Sequence, residues 1–216
     1  MDLDPAPTIR ELVADTDGTP GPPPSRRTRG RHERRDRTYE AAVALFVERG
    51  FDETSMDDIA ERAGLARTTV FNHFPRKGAL IEEWTLRRRL RAAQTFRGTD
   101  PARRSVRTTL GDYFRALAEV NVETRVESAA MMPVAVRNTG MLVDHPLIRD
   151  LAELIEESAA PLAAPATPAR TARLLALGYV SAVTRWVATD PEPFDLADEL
   201  ASVLGIVLDG ALDHRP

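Results

Sequence analysis

The sequence predicts an all-α protein in two parts, an N-terminal domain of three short helices and a larger C-terminal helical domain. Apolar residues recur at intervals of three and four along most of the 216 residues, as on the buried face of an amphipathic helix. Glycine and proline separate these segments, and no segment shows the alternation or hairpin turns of β-strands. The apolar share of 43% is sufficient for a hydrophobic core.

The composition excludes several kinds of site. The chain contains no cysteine, which rules out disulfides, thiolate nucleophiles and zinc–thiolate centres. The histidines are not spaced as metal ligands and no serine lies in a glycine elbow, so we predict no catalytic site, no metal and no cofactor. No run of about 18 apolar residues occurs and the N-terminus is polar, so we expect a cytoplasmic protein without a membrane partner.

The first segment, residues 1–30, is rich in proline and is predicted to be a disordered tail. It leads into residues 26–37, of which seven are arginine. Arg31, Arg34 and Arg35 are therefore candidates for contacts with DNA phosphates as part of a basic arm. A solvated basic tail is the alternative interpretation of the same run.

Helix one is predicted from about Glu33 to Arg49. Its buried face consists of four residues at helical spacing, Tyr39, Ala42, Val43 and Phe46. Gly50 ends the helix, because the residue after the last turn often needs a positive φ.

Two further short helices follow within Thr54 to Lys77. Ser55 and Asp58 have the spacing of a capping box, which predicts the start of helix two. Gly64 ends that helix, and Val70 continues the apolar pattern in helix three. Pro75 ends helix three, because proline disfavours helical geometry in the residue before it.

Helix three leaves a polar surface around a thin apolar stripe. The exposed groups are donors, hydroxyls and a planar amide, which contact phosphates and base edges in a DNA major groove. They belong to Arg67, Thr68, Thr69, Phe71, Asn72 and His73. A helix of about seven residues is not stable alone, so its neighbours must hold it, as in a helix-turn-helix.

The segments Tyr39–Phe51 and Thr54–Leu80 resemble the DNA-binding domain of the tetracycline-repressor (TetR) family of bacterial transcriptional regulators. The resemblance covers about a fifth of the chain and lies in the ordered motifs ERGF, SMDDIA, AG, TVFNHF and K. It implies a helix-turn-helix domain over 31–78 and a helical ligand-binding and dimerisation domain over 79–216. It adds Thr54, Ser55 and Lys77 to the candidate DNA contacts.

Two positions depart from the usual pattern of this family. Phe71 stands where a tyrosine hydroxyl commonly donates to a phosphate, and it has no donor. Ala66 stands where a serine or threonine usually caps the reading helix. Both changes concern the details of DNA affinity.

A fourth helix is predicted from about Lys77 to Phe96, and the resemblance implies that it links the two domains. Its apolar residues face inward: Leu80, Ile81, Trp84 and Leu90. Its arginines are expected to point mostly outward: Arg87, Arg88, Arg89 and Arg91.

Five more helices are predicted, at 102–122, 126–138, 145–160, 168–189 and 194–212. The last two are apolar all round, which indicates burial on more than one side. The resemblance implies a homodimer in which these helices form a four-helix bundle. The interface candidates are Leu177, Val180, Thr184, Val203 and Val207.

The resemblance also implies a pocket for a small-molecule effector in the C-terminal domain. Methionine and aromatic residues suit an adaptable apolar cavity. The candidates are Tyr113, Phe114, Leu117, Met131, Met132, Met141 and Trp186. Ordinary core packing is the alternative for each of them.

The charge distribution favours DNA binding although the net charge is −4. Residues 26–91 hold sixteen basic and eleven acidic residues, whereas residues 92–216 hold twelve basic and seventeen acidic ones. Together with the resemblance, which implies a dimer and repression, this distribution predicts a homodimeric repressor that binds a palindromic double-stranded operator and leaves it when a small apolar effector binds. The alternatives are a DNA-binding regulator controlled by a protein partner and a small-molecule binding protein without a role at DNA.

Overall fold

The computed structural model describes residues 25–96, 103–138, 145–158 and 161–211. Within these ranges the regular elements are all helices, which confirms the predicted fold class. They are α1 (Arg26–Arg49), α2 (Met56–Ala63), α3 (Arg67–His73), α4 (Lys77–Ala93, followed by a 3₁₀ turn at Gln94–Phe96), α5 (Val106–Glu123), α6 (Arg125–Asn138), α7 (Pro146–Glu157), α8 (Pro168–Val187) and α9 (Leu196–Ala211). None of the described helices is long and apolar enough to cross a membrane.

Helix α1 begins two turns earlier than the sequence predicts. Ser25 caps it, with the side-chain Oγ accepting a hydrogen bond from the Thr28 amide at 3.1 Å. The predicted disordered tail is therefore wrong for residues 26–30, and the predicted start at Glu33 is too late. Arginine is a good helix former, and the run extends the helix. The rest of the predicted tail, residues 1–24, lies outside the described residues.

Local signals determine how α2 and α3 begin and end. The Ser55–Asp58 capping box is present in both directions, and Gly64 adopts the left-handed conformation at φ 61° and ψ 39°. Helix α3 starts at Ala66 without a side-chain cap. Val70 is fully buried and anchors α3 against the other helices.

Helix α4 packs against α1 on one side and against α5 and α6 on the other. Leu80, Ile81 and Trp84 are buried, as predicted. Arg88 and Arg89 are also buried, at 6% and 2% exposed, so the prediction that they point outward is wrong. A helix covered on both sides has no solvent face at these positions.

The C-terminal helices lie within four residues of their predicted ends. His145 and Thr167 cap α7 and α8, and a proline at the first turn of each helix supports these starts. Helices α8 and α9 run antiparallel in close contact: a Cβ added at Gly178 would lie 2.4 Å from Cγ1 of Val203.

Candidate nucleic-acid interface and the cavity behind it

Helix α3 presents a polar surface to solvent. Arg67, Thr68 and Asn72 are exposed, while Thr69, Phe71 and His73 are partly exposed. The Arg67 guanidinium lies over the Phe71 ring, 5.3 Å from its centroid, and its Nε forms an ion pair of 3.0 Å with Asp57. These side chains are therefore available to a DNA groove, and the exposed Asp57 pair is weak enough to exchange for a phosphate.

Arg35 fastens the end of α3 to the rest of the domain. Its Nη1 donates to the His73 carbonyl oxygen at 3.1 Å, and its guanidinium stacks on the Phe74 ring at 4.4 Å. Its Nη2 also forms a 2.6 Å ion pair with Glu83 of α4. The guanidinium thus has a structural role, while its side chain remains 38% exposed, and its contact with DNA stays a prediction.

Three other predicted DNA contacts have internal partners. Thr54 is buried and its hydroxyl donates to the Gly50 carbonyl oxygen at 2.8 Å, so the predicted DNA contact of Thr54 is wrong. Ser55 is exposed but caps α2. The Lys77 ammonium donates to the Phe51 carbonyl oxygen at 2.7 Å and so holds the loop before α2. Ser55 and Lys77 remain predicted DNA contacts that also have a structural role.

Arg31 and Arg34 are exposed on α1, on the helical part of the arginine-rich run. Burial and the nearby Arg35, Arg31 and Arg34 lower the pKa of His73 below its ordinary value. The neutral imidazole of His73 therefore offers one donor and one acceptor, and the positive potential beside α3 comes from the arginines.

A polar network joins α4 to α1. Glu83, only 7% exposed, accepts from Arg35 and also from Arg87 at 2.9 Å. Arg87 reaches across to Asp36 and lies over the Tyr39 ring, 4.1 Å from its centroid. Motif reasoning missed Glu83, although its spacing of four residues from Arg87 on a helix is a signal of an ion pair. The network fixes the position of the DNA-binding helices on α4.

The predicted pocket residues mostly fill the core of the C-terminal domain. Tyr113, Phe114, Leu117, Met131 and Met132 are all at most 2% exposed, and Trp186 is 3% exposed. Met141 lies outside the described residues. These side chains are closely packed, as the alternative of ordinary core packing expects, and their place in an effector pocket stays a prediction.

A small cavity lies between α4, α5, α6, α7 and α8. It holds about 10 Å³, which is close to the room that one water molecule needs. Two of the predicted residues, Leu117 and Met132, contribute to its wall. The other lining residues are Trp84, Thr85, Arg88, Arg89, His145, Leu147 and Tyr179.

Two arginines of α4 line this cavity, and their hydrogen-bond partners differ in charge. Arg89 forms a two-pronged ion pair with Asp150, with Nε and Nη2 at 2.6 Å and 2.5 Å from the carboxylate, and the Tyr113 hydroxyl donates to the same carboxylate. Burial lowers the pKa of Arg89, but Asp150 outweighs that effect and raises it overall. Arg88 instead donates to Thr124, Asn121 and Ser128, which are neutral.

The outer face of α8 and α9 carries exposed apolar residues. Leu174 is 56% exposed and Ile206 is 76% exposed. Four predicted interface residues, Leu177, Thr184, Val203 and Val207, are partly exposed. Val180 is 3% exposed and packs in the core of its own subunit, so its predicted place in an interface is wrong.

Comparison with known proteins shows what this chain is similar to. A family model described as bacterial regulatory proteins, tetR family, matches residues 39–84. The HTH-type transcriptional repressor KstR2 of Rhodococcus jostii is 37% identical over 62 residues, which are 29% of this chain and 30% of that protein. The HTH-type transcriptional activator FasR of Mycolicibacterium smegmatis is 43% identical over 47 residues, 22% of each chain. The chain therefore spans less than a third of the length of these curated relatives.

The similarity in structure extends further along the chain. The crystal structure of Thermus thermophilus FadR, a TetR family transcriptional repressor in complex with lauroyl-CoA, has a TM-score of 0.62 and 29% identity, and covers 84% of this chain and 97% of that one. NalD, the secondary repressor of a multidrug efflux pump in Pseudomonas aeruginosa, shares the fold at 22% identity and a TM-score of 0.58, over 86% of this chain and 100% of that one. The match over the DNA-binding helices and the similarity over most of the fold together support a regulator of the TetR family.

Proposed function

We propose that this protein is a homodimeric transcriptional repressor that binds a palindromic DNA operator and is released by a small-molecule effector. The observation that carries the proposal is the arrangement of α3. Arg67, Thr68 and Asn72 are exposed on one side, while Val70 and Phe74 are buried on the other. A short helix held in this way and flanked by exposed arginines suits a DNA major groove.

The proposed dimer forms through the outer face of α8 and α9. The Arg185–Glu199 ion pair and the Gly178–Val203 approach support an antiparallel pair of helices, with Leu174 and Ile206 on its solvent side. Exposed apolar residues of this size favour burial against a second copy of the same face. Two copies would present two α3 helices to operator half-sites about one DNA turn, roughly 34 Å, apart.

The proposed switch acts through α4. Two consecutive turns of this helix hold Glu83 and Arg87, which contact α1, and also Trp84 and Arg88, which line the cavity. A ligand that binds better to one orientation of α4 would change the separation of the two α3 helices in the dimer. A coupling free energy of about 1–3 kcal/mol is typical of such allostery.

A gel-shift titration with the DNA upstream of the protein's own gene tests the DNA-binding half. We expect the double variant Thr69→Ala, Asn72→Ala to bind at least tenfold more weakly, because each base contact contributes about 1–3 kcal/mol. Thr189→Ala is the matched control, since Thr189 is exposed in the distant domain. Binding by the double variant at wild-type affinity would contradict the proposal.

A repressor controlled by a protein partner is the second candidate, and one observation favours it. The apolar residues expected to line a pocket are packed, and the cavity of about 10 Å³ is small for an effector. The two candidates differ in a thermal-shift survey of small molecules. A compound that raises Tm and releases DNA favours the effector switch, whereas a complete lack of such compounds favours a partner.

A further inference from the structure

Arg88 is a buried cation that has no counter-ion among the described residues. Its side chain is 6% exposed, and in the part of the chain that the structure describes it forms no ion pair with a carboxylate. Its hydrogen bonds go to the Thr124 hydroxyl at 2.8 Å, the Asn121 carbonyl oxygen at 3.0 Å and the Ser128 hydroxyl. Guanidinium stays protonated in proteins, so this positive charge remains uncompensated in a site of low polarity.

The neighbouring arginine, Arg89, has its charge balanced by a carboxylate. Arg89 lies one residue further along α4 and is matched by Asp150, which is fully buried. Glu127 influences Arg88 only at longer range, and burial lowers the pKa of Arg88. A burial this costly without a partner indicates a group that the site is built to receive.

Three nitrogen atoms on residues of the same cavity lack acceptors within the described chain: Trp84 Nε1, Arg88 Nε and His145 Nε2. Nδ1 of His145 accepts a hydrogen bond of 3.0 Å from the Leu147 amide, so the neutral imidazole carries its proton on Nε2. Burial and the nearby Arg89 lower the pKa of His145 from 6.5 to about 3, which keeps the ring neutral at physiological pH. All three nitrogen atoms are therefore donors.

The geometry points to a carboxylate as the group that fills this site, on an effector whose remaining body is apolar. A carboxylate is negative and only accepts hydrogen bonds, so it complements the charge of Arg88 and the three free donors at once. The rest of the wall includes Leu117, Met132 and Leu147, which suit hydrocarbon. This inference rests on the proposed effector switch and specifies the chemistry of its ligand.

The size of the cavity connects binding to regulation. About 10 Å³ accommodates one water-sized group, so a carboxylate with a hydrocarbon body enters only if side chains move. Met132 can adapt, because its side chain is unbranched and flexible. Trp84 and Arg88 belong to α4, so the movement that makes room also acts on the helix that carries Glu83 and Arg87.

The test compares carboxylates with their uncharged counterparts on the full-length protein. Benzoate and octanoate are titrated beside benzamide and octanamide, with Tm and release of operator DNA as readouts. We expect at least one carboxylate to raise Tm and release DNA, and its amide to need at least a tenfold higher concentration. Arg88→Met should abolish that preference, and Arg88→Lys should retain part of it. Arg91→Met is the matched control, because Arg91 is exposed on the same helix and pairs with Glu123.

The outcomes separate this inference from the proposed function. Amides that bind and release DNA as well as the acids do would overturn the carboxylate but leave the effector switch intact. Failure of both acids to bind would also overturn the carboxylate site. DNA binding is tested separately, by operator binding in the absence of any compound. If Arg88→Met does not fold, as judged by circular dichroism, Trp84→Phe takes its place. That variant removes the Nε1 donor, and severalfold weaker acid binding is expected; unchanged binding would overturn the site.

Discussion

The buried pair of Arg89 and Asp150 offers a quantitative test of how the C-terminal domain is held together. Asp150 is fully buried and accepts from two guanidinium nitrogens and from the Tyr113 hydroxyl. The substitution Asp150→Asn keeps the shape of the side chain but removes the charge and turns an amide donor toward Arg89. We expect it to lower the free energy of unfolding severely.

The magnitude follows from burial. Arg89 is 2% exposed, so water does not screen the charge left behind. Removing one partner of a buried ion pair costs about 3–5 kcal/mol. For a chain of this size each kcal/mol lowers Tm by about 2–4 °C, so the total loss is on the order of 10 °C.

Urea unfolding followed by circular dichroism at a fixed protein concentration measures this loss. The double variant Arg89→Met, Asp150→Leu should recover most of it, because apolar replacements of a buried pair are often neutral or stabilising. Asp209→Asn is the matched control: Asp209 is 65% exposed in its pair with Arg107, and such pairs contribute less than about 1 kcal/mol. A loss for Asp150→Asn as small as that of Asp209→Asn, or a double variant no more stable than the single one, would refute the reasoning.

Three further predictions concern stability, each measured by urea unfolding. The pKa of His145 is lowered from 6.5 to about 3 in the folded protein. As pH drops below about 6.5, the unfolded chain therefore takes up a proton on this histidine before the folded chain does. The free energy of unfolding should fall between pH 6.5 and 3, by at most about 1.4 kcal/mol per pH unit. His145→Asn retains a helix-capping acceptor and should remove this component; an unchanged pH dependence would contradict it. Gly178→Ala should cost about 1–3 kcal/mol, because its Cβ has no room beside Val203, and a neutral result would show that α8 and α9 separate easily. Ala66→Ser supplies the missing cap of α3 and should raise the free energy of unfolding by about 0.5–1 kcal/mol. An unchanged free energy of unfolding would contradict this.

The parts of the fold that sequence predicts well depend on interactions between residues close in the chain. The Ser55–Asp58 capping box and the left-handed Gly64 each act within one helical turn, so their spacing alone is sufficient. The polar face of α3 follows in the same way, because Val70 fixes which side is buried. The prediction that α3 exposes a polar face therefore required no tertiary information.

The parts that sequence did not predict depend on what lies across from a residue. Helical periodicity gives the direction of Arg88 and Arg89, but not that α5 and α6 cover that direction. Arg35 and Thr54 lie in a region suited to DNA contact, yet their donors reach carbonyl oxygens of the protein first. The Asp150 that neutralises Arg89 is 61 residues away in the chain, a distance over which no local pattern operates.

Helix α4 has a consequence for how such a protein can be altered. The side chains that line the cavity and the side chains that contact α1 alternate along two consecutive turns, so the two sets are neighbours but consist of different residues. On the proposed function, substitutions at Trp84 and Arg88 would change the ligand preference without touching the exposed face of α3. Substitutions at Arg67, Thr68 and Asn72 would change the operator preference and leave the cavity wall intact, so the two properties could be altered one at a time.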